Sequence, residues 1–490
     1  MSIILFSALL GLPFIGAIVC VFSPNRKALE SVTVAVTALS FVAAMMLGRE
    51  VLHHVSVSSP NGFFYADALS ALLAVIVTGS AFATALYSIG YLNAHVTAGT
   101  ISAGQLRLYY ALLNVFHFTM VLVVLSNNLG FLWIGTEATT LATAFLVAFY
   151  DTKRSLEAAW KYVIICSVGI ALALFGVILT YFSSVTIAGS SSPSLLWTSL
   201  MVVAKRLDPA ILRLAYVFVL IGFGTKAGLA PMHTWKPDAY GEAPAPISGL
   251  MAGGLVNVAL YSLMRFTVLV NKAVGHEFAS TLLIIFGLGS IIVAVPFILL
   301  QRNIKRLLAY SSVEHVGIIA FAIGLATPLA YLGALLHMLN NAIVKLLLFF
   351  STGNLRLAYH TKLIRRIEGA VHVVPFTASV FLIGVFAVTG WPPFGLFISE
   401  FTIVTAGFTA GHFWPTIVFL LSVATVFVGF IYYASKMVFG SSEGRERQKD
   451  STKIGRVLLA TLALLLLCFG LLIPGPLMSL LRNASTVLAG

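Results

Sequence analysis

Long apolar runs separated by short polar segments follow one another along the whole 490-residue chain. An α-helix needs about 20 predominantly apolar residues to cross the roughly 30 Å hydrocarbon core of a bilayer, and these runs have that length. The pattern therefore predicts an all-α, polytopic membrane protein with about fourteen transmembrane helices. The predicted spans are residues 2–22, 28–47, 67–91, 108–126, 129–150, 157–182, 211–230, 244–270, 279–300, 305–324, 328–352, 373–408, 414–440 and 455–475.

Two of the predicted spans are interrupted by proline. The run 373–408 is too long for one straight helix and contains Pro392-Pro393 in its middle, so we expect a broken helix or a helix pair. The run 211–230 ends at Pro231. These are the seventh and twelfth spans, and interrupted segments at corresponding positions are typical of transporters built from inverted repeats. Two unrelated breaks would give the same pattern.

An inverted repeat would make spans 4–8 and 9–13 two copies in opposite orientation. On that basis we divide the chain into three N-terminal helices at 1–106, a first repeat at 107–270 and a second repeat at 279–440. A cytoplasmic loop and the last helix follow at 441–490. We expect the first apolar run to be retained as a helix, because it has neither a basic leader nor a small-residue cleavage site.

Composition supports a membrane protein and excludes several classes of cofactor. The chain is 59% hydrophobic and only 9% charged, whereas soluble domains carry about 25% charged residues. Cys20, Cys166 and Cys468 stand singly in apolar runs, so ligands for iron–sulfur clusters, zinc or haem attachment are not predicted. No dinucleotide or phosphate-binding glycine motif is present. We therefore predict no cofactor, no metal site and no redox centre.

The basic residues predict the orientation in the membrane. Eighteen lie in loops opposite the termini and six on the side of the termini, which places the termini outside by the positive-inside rule. The larger group includes Lys236, Lys305, Arg445 and Lys449. The net charge of +13 thus belongs to short loops and does not indicate nucleic-acid binding. We expect a bacterial inner membrane with periplasmic termini.

A few ionisable residues lie inside the predicted spans. A charge near mid-bilayer costs about 3 kcal/mol on insertion scales, so such residues are usually functional. Glu137 lies about two turns inside the fifth span, and Lys226 lies in the seventh, five residues before Pro231. We expect these two opposite charges to pair across helices.

Further candidates follow in the second half of the chain. His337, Asn341 and Lys345 are spaced i, i+4 and i+8, so they form a polar stripe on one face of the eleventh span. His315 in the tenth span has an unperturbed pKa suited to proton exchange near neutrality. Glu400 lies two turns past the second break.

Together these residues form a sparse chain of buried titratable groups, which suits proton hopping better than binding of an organic substrate. Sodium is an open alternative, since one carboxylate and freed carbonyl groups can bind it. The titratable groups in this series are Glu137, Lys226, His315, His337, Lys345 and Glu400.

Other charges have simpler interpretations. Lys161 could extend to the membrane surface or participate in function, and Lys305 at the mouth of the tenth span is similar. We interpret Arg265 and Lys436 as interfacial anchors. Asp67 at the start of the third span has a structural role or lies at a lateral contact.

Four segments resemble the antiporter-like subunits of respiratory complex I and its relatives. The segments are LEAAWKYVIICSVGIALALFG, GTKAGLAPMHTWKPDAYGEAPAPISGLMAGGLVNVALYSLMRF, NIKRLLAYSSVEHVG and PPFGLFISEF. The similarity is closest to component F of hydrogenase-4 and formate-hydrogenlyase complexes, and next to the NADH dehydrogenase chain M/subunit 4 type. It covers about residues 60–440 and implies fourteen core helices in two inverted five-helix repeats, with broken seventh and twelfth helices.

The resemblance also implies roles for particular residues. Three positions depart from the family pattern. Asn257 stands where complex I chains often have a lysine, Asn341 where some have a histidine, and Lys236 where the family usually has an apolar residue. The residues implied in proton translocation are Glu137, Lys161, Lys226, His233, Lys305, His315, His337, Lys345 and Glu400.

The sequence thus predicts a proton-translocating membrane subunit of a redox-driven complex. Expected partners are the lipid bilayer and other membrane subunits, both antiporter-like ones and ones that anchor a quinone or hydrogenase module. The first alternative is a sodium/proton antiporter subunit. The others are a non-conducting assembly scaffold and, least favoured, a subunit of a carbon-concentrating pump.

Overall fold

The computed structural model describes residues 2–185, 187, 194–441, 446–448 and 450–490. Arg445 and Lys449, which entered the charge comparison above, lie outside these residues. In the described part, thirteen helices are long and apolar enough to cross a membrane. The chain is therefore a multi-pass helical membrane protein, as predicted.

The N-terminal part consists of three long helices and one small hairpin. Strands β1 and β2 pair antiparallel, with Ser56 opposite Asp67 and Ser58 opposite Tyr65. The elements are α1 Ser2–Phe22, α2 Arg26–His54, β1 Ser56–Ser58, β2 Tyr65–Asp67 and α3 Ala68–Thr97.

The middle part contains the first broken helix, formed by α8 and α9. A π-helical stretch, Met251–Leu255, joins α10 and α11 into one span. The elements are α4 Ala103–Leu125, α5 Leu129–Val147, α6 Lys153–Val185, α7 Trp197–Val203, α8 Pro209–Ala227, α9 Trp235–Glu242, α10 Ala245–Leu250 and α11 Val256–Val274.

The last part contains the second broken helix, formed by α16 and α17. These two helices are each too short to count among the thirteen spans, and together they occupy the predicted twelfth span. The elements are α12 His276–Leu299, α13 Ile304–Gly324, α14 Pro328–Tyr359, α15 Ala370–Val373, α16 Pro375–Val388, α17 Gly395–Thr409, α18 Phe413–Phe439, α19 Lys453–Leu471 and α20 Gly475–Ala489.

Both breaks have the same local sequence pattern, a glycine followed by a proline. The first half-helix ends at a glycine with positive φ, Gly228 at +83° and Gly390 at +67°. A proline follows three residues later, Pro231 and Pro393 respectively. Glycine adopts this left-handed conformation without a Cβ clash, and proline cannot donate the backbone hydrogen bond that would continue the helix. The two helices therefore break where the sequence predicted.

Helix α20 was not predicted. It is only 15 residues long and amphipathic, too short for a span. Leu480, Leu481 and Leu488 are buried, and the helix packs against α3 and α14. The chain therefore continues as a packed helix after its last span.

The pair α6 and α8, which carries part of the site, is held in close contact by small residues. A Cβ at Gly222 would lie 2.6 Å from the backbone nitrogen of Ala173, and one at Gly176 would lie 2.7 Å from the carbonyl oxygen of Ala215. Glycine at such positions lets helix backbones approach closely in membranes. The position of α8 beside α6 is thereby tightly constrained.

Arg265 is not an interfacial anchor, and that interpretation was wrong. Its guanidinium is buried and binds both carboxylate oxygens of Asp67, at 2.6 and 2.7 Å. It also donates to Ser70 and to Tyr261. The buried pair joins the start of α3 to α11, so Asp67 has a structural role.

Two lysines that entered the charge comparison as loop residues are buried. Lys236 and Lys305 are both 0% exposed, so neither is a loop charge. Lys305 donates from the first turn of α13 to the carbonyl of Ala243. Without these two residues the balance is sixteen against six, so the sign of the orientation prediction is unchanged.

The Asp67–Arg265 pair generates a stability prediction. Replacing Arg265 by leucine leaves an unpaired buried carboxylate, which typically costs about 3–5 kcal/mol. We expect a clearly lower midpoint of thermal unfolding, measured by intrinsic fluorescence of the detergent-solubilised protein. Lys436→Ala is the control, because Lys436 is partly exposed and lies 3.8 Å from Glu368. Equal midpoints for the two variants would contradict this account.

Candidate functional site

Lys226 is fully buried in the last turn of α8. Its Nζ donates to the hydroxyl of Thr140 on α5 at 2.7 Å and to the hydroxyl of Tyr162 on α6 at 2.8 Å. The ammonium also lies 4.9 Å from the centroid of the Tyr162 ring. The hydroxyl of Tyr162 lies 2.7 Å from the hydroxyl of Thr143. The ammonium group is therefore bound by a network of hydroxyl groups.

Glu137 does not pair directly with Lys226, so the expected direct contact is wrong. Its Oε1 accepts from the hydroxyl of Ser167 at 2.7 Å, and its Oε2 accepts from the hydroxyl of Thr140 at 3.1 Å. Thr140 therefore stands between the two charges, accepting from the ammonium and donating to the carboxylate. The acid and the base are connected through one hydroxyl group.

Glu137 lies next to the outer surface of the bundle. It is only partly buried, and three apolar residues on the same helix, Ile134, Leu141 and Phe145, are about half exposed or more. A carboxylate within a span beside exposed apolar residues is unusual. The position is suited to contact with a neighbouring membrane subunit.

The first break contains a residue that was not predicted as part of the site. The Nζ of Lys236, on α9, donates to the carbonyl of Ala227 at 2.7 Å and to the carbonyl of Ser312 at 3.3 Å. A Cβ on Gly228 would lie 2.8–3.0 Å from the end of the Lys236 side chain, so only glycine leaves room for it. The sequence signal was a lysine eight residues after the glycine of the break.

His233 lies within the same break. It is 6% exposed, its ring lies 6.2 Å from that of Tyr310 and 6.4 Å from that of Phe297, and its Nδ1 has no partner among the described residues. The structure thus places His233 beside the α12–α13 pair.

Two histidines form the centre of the second half. Nδ1 of His315 lies 2.8 Å from Nε2 of His337, and Nδ1 of His337 lies 3.0 Å from the hydroxyl of Ser399. Ser399 donates its single proton to the carbonyl of Leu396, so it accepts from His337. Neutral rings then require His315 to donate to His337, leaving Nε2 of His315 as an unpartnered acceptor.

Glu400 completes this cluster. One carboxylate oxygen of Glu400 and one ring nitrogen from each of His315 and His337 lie within 4.8 Å of one another. The carboxylate also packs against Gly390 in the second break. Nδ1 of His315 and Nε2 of His337 lie 2.8 Å apart, which is a hydrogen-bond distance and shorter than the roughly 3.3 Å between two nitrogen ligands on a tetrahedral Zn²⁺. The arrangement therefore fits proton transfer better than metal binding.

The polar stripe of α14 is buried along its length. His337, Asn341 and Lys345 are at most 1% exposed, and Nζ of Lys345 donates to the hydroxyl of Ser311 at 2.6 Å. Glu314 is also buried and interacts electrostatically with Lys345 rather than pairing with His315.

Lys161 lies at the surface of the bundle, with about half of its side chain exposed. Its ammonium is 2.6 Å from Glu157 and 3.4 Å from Asp238, and Asp238 is 2.5 Å from Arg306. These charges line a surface cavity of about 210 Å³. Because Tyr162, the partner of Lys226, is the next residue on α6 after Lys161, the cavity lies near the start of the buried network.

Asn257 lies two residues past the end of the π-helical stretch. Its Nδ2 donates to the carbonyl of Gly253 at 2.8 Å and approaches that of Met338 at 3.5 Å, while its Oδ1 has no partner among the described residues. An amide here connects α11 to the backbone beside His337, but it cannot take up a proton.

The chain belongs to the NADH:quinone oxidoreductase/Mrp antiporter transmembrane family, whose model matches residues 126–428. It is 35% identical to the hydrogenase-4 component F homolog of Methylacidiphilum infernorum (isolate V4), over 98% of this chain and 99% of that protein. The fold is similar to a chain of the archaeal membrane-bound sulfane sulfur reductase, with a TM-score of 0.88 and 25% identity, covering 99% of this chain and 97% of that one. A chain of the Mrp complex from Dietzia sp. DQ12-45-1b has the same fold, with a TM-score of 0.85, 17% identity and coverage of 100% and 98%.

Thr140 generates a test of the connection between acid and base. Thr140→Val keeps the shape of the side chain and removes the hydroxyl that joins Glu137 to Lys226. A hydrogen bond to a charged group contributes about 1.5–3 kcal/mol, so we expect ion translocation by the complex to fall about tenfold or more.

Thr139→Val is the matched control, because the hydroxyl of Thr139 only donates to the carbonyl of Thr136 in its own helix. Translocation would be followed with a pH-sensitive dye in membrane vesicles. Equal rates for the two valine variants would show that the hydroxyl bridge has no role.

Proposed function

We propose that this chain is the proton-translocating membrane subunit of a multisubunit redox-driven complex and has no redox centre of its own. The observation that carries the proposal is the buried ammonium of Lys226, joined through Thr140 to the half-buried carboxylate of Glu137. A buried charge in a spanning helix is costly and marks an ion pathway. Its opposite charge lies where a neighbouring subunit could influence it.

The relatives support a membrane complex as the setting. The closely similar protein of Methylacidiphilum is named a hydrogenase-4 component F homolog. We therefore assign this chain to a hydrogenase-4-type complex or a NADH dehydrogenase-like one, with other membrane subunits as partners. We place it in a bacterial inner membrane with periplasmic termini. The proposed units are residues 1–106, 107–270, 279–440 and 441–490.

In the first half, a change in charge or conformation of a neighbouring subunit acts on Glu137. When Glu137 moves away from Thr140 or is neutralised, Lys226 loses the electrostatic support of the carboxylate and releases a proton. Lys161 lies at the surface cavity near this network, and His233 and Lys305 line the first break and the mouth of α13.

In the second half, the histidine pair passes the proton on. A proton that binds Nε2 of His315 makes that ring an imidazolium, whose Nδ1 proton can move to His337 across the 2.8 Å hydrogen bond. Lys345 supplies protons on one side, and Glu400 accepts them on the other. Protons enter and leave through water, and no electron is transferred within the chain.

A sodium/proton antiporter subunit is the second candidate, and likeness to the Mrp chain in fold is its support. The buried nitrogens of His315, His337 and Lys345 favour protons instead, because they stand among the oxygen groups of the second half and Na⁺ requires oxygen ligands. Activity that depends on sodium at a fixed proton gradient would favour the antiporter.

The first experiment is to purify the chain from its native membrane and identify its partners by mass spectrometry. Nickel–iron hydrogenase-like and iron–sulfur subunits would agree with the proposal and define the electron donor for activity assays. Small membrane subunits alone would contradict the redox coupling and leave the sodium antiporter.

Lys226→Ala is the decisive variant for the proposed function. We expect it to abolish redox-driven proton translocation in membrane vesicles while the complex still assembles, because the only change at the site is loss of the buried base. Lys27→Ala, which removes an exposed lysine from the first turn of α2, is the control. Undiminished proton translocation by Lys226→Ala would overturn the proposal.

A further inference from the structure

Each helix break holds one charged side chain against its glycine. Lys236 from α9 packs on Gly228, where a Cβ would stand 2.9 Å from its Nζ. Glu400 from α17 packs on Gly390 in the same manner, with its Oε2 against the place of a Cβ. In both cases the side chain comes from the half-helix that follows the break. Lys236 is therefore the positional counterpart of Glu400.

The hydrogen bonds of Lys236 can be kept in both protonation states. Its Nζ has two acceptors, the carbonyls of Ala227 and Ser312. An ammonium group has three N–H donors, whereas a neutral amine has two donors and one lone pair. Two acceptors leave the third position free, either to release a proton or to receive one. A change of protonation thus requires no loss of either hydrogen bond.

The two acceptors connect Lys236 to both halves of the buried chain. Ala227 is the residue after Lys226, and Ser312 is the residue after Ser311, whose hydroxyl binds Lys345 at 2.6 Å. Cys166 of α6 interacts electrostatically with both Lys226 and Lys236. Lys236 therefore occupies the interval between the two buried lysines.

Several titratable groups face Lys236 from the elements packed around it, and they supply both the source and the destination of a proton. Those that interact with Lys236 itself are His233 of the break, Cys166 of α6, Tyr240 of α9, His315 of α13 and Lys345 of α14. Cys166 also interacts with Lys226, which in turn binds Tyr162 and interacts with Glu137.

We propose that Lys236 is the proton carrier that joins the first half of the pathway to the second. The inference rests on the proposed function and adds a residue to it. The amine of Lys236 takes a proton released from the Lys226 network, directly or through one water, and becomes an ammonium. It then releases that proton towards Lys345 and His315 and returns to the amine, so that charge balances in each step. Asn257 cannot perform this task because its amide does not titrate.

A purely structural role makes a different prediction. As a permanent cation, Lys236 would only hold the carbonyl end of α8, where positive charge is favourable. Arginine would serve that role, since it remains protonated and donates to carbonyl groups. A carrier must lose its proton, which arginine does not do. The two roles are therefore separated by Lys236→Arg.

The test compares redox-driven proton translocation by the intact complex in membrane vesicles carrying Lys236→Arg, Lys236→Gln or wild-type protein. The glutamine amide keeps two N–H donors but neither takes up nor releases a proton. It is also smaller than arginine, which could be too large beside Gly228. We expect both variants to co-purify with their partners and to lose at least about tenfold in proton translocation. Lys27→Arg and Lys27→Gln, at an exposed lysine, are the controls and should match wild type.

The outcomes distinguish the inference from the proposed function. Wild-type rates in an assembled Lys236→Arg or Lys236→Gln complex would overturn the carrier role alone. A wild-type complex that moves no protons would overturn both. Loss of proton translocation in the Lys236 variants, with normal rates in the Lys27 variants, would support the carrier role. If a Lys236 variant keeps part of its activity and its translocation rate depends on pH as in the wild type, the carrier role is contradicted.

Discussion

Every charge buried in this bundle needs a hydrogen-bonding partner that the protein itself supplies. Lipid offers none, and an unpaired charge at mid-span costs several kcal/mol. Lys226 meets this requirement with the hydroxyls of Thr140 and Tyr162. Lys236 meets it with carbonyl oxygens, one of them freed by the break at Gly228. The breaks and the buried hydroxyls are thus conditions for placing charge inside the membrane, and the proposed pathway runs where they occur.

Hydroxyl groups rather than direct ion pairs connect the charged residues. A direct contact between Glu137 and Lys226 would hold both charges strongly, and separating them would be costly in a medium of low dielectric constant. Thr140 lies between the two charges, so their attraction is weaker, and its hydroxyl group still connects them by hydrogen bonds. A modest change beside Glu137 can therefore alter the protonation of Lys226. Ser399 performs a related task for His337, because it fixes which ring nitrogen carries the proton.

The sequence predicted the spans and the breaks because both depend on local sequence. The length of an apolar run determines a span, and the positions of glycine and proline determine a break. The sequence also predicted which spans contain charge. It did not predict contacts between helices, since these depend on residues far apart in the chain, as in the pairing of Asp67 with Arg265. For the same reason Lys236 looked like a loop residue: it follows a proline-containing break, and only the packing of α9 against α13 shows that it is buried.

The two breaks share one backbone design but support different chemistry. Freed carbonyl oxygens accept hydrogen bonds, so an amino group such as that of Lys236 can bind them directly. A carboxylate needs donors instead. The rings beside Glu400 are those of His315 and His337, and a ring of this pair can donate to the carboxylate when it has taken up a further proton. The clustering of histidines at the second break and of hydroxyls and a lysine at the first therefore follows from the charge that each break holds. Two similar helix breaks can in this way hold a base at one break and an acid at the other, which gives the two parts of the proposed proton pathway different chemical character.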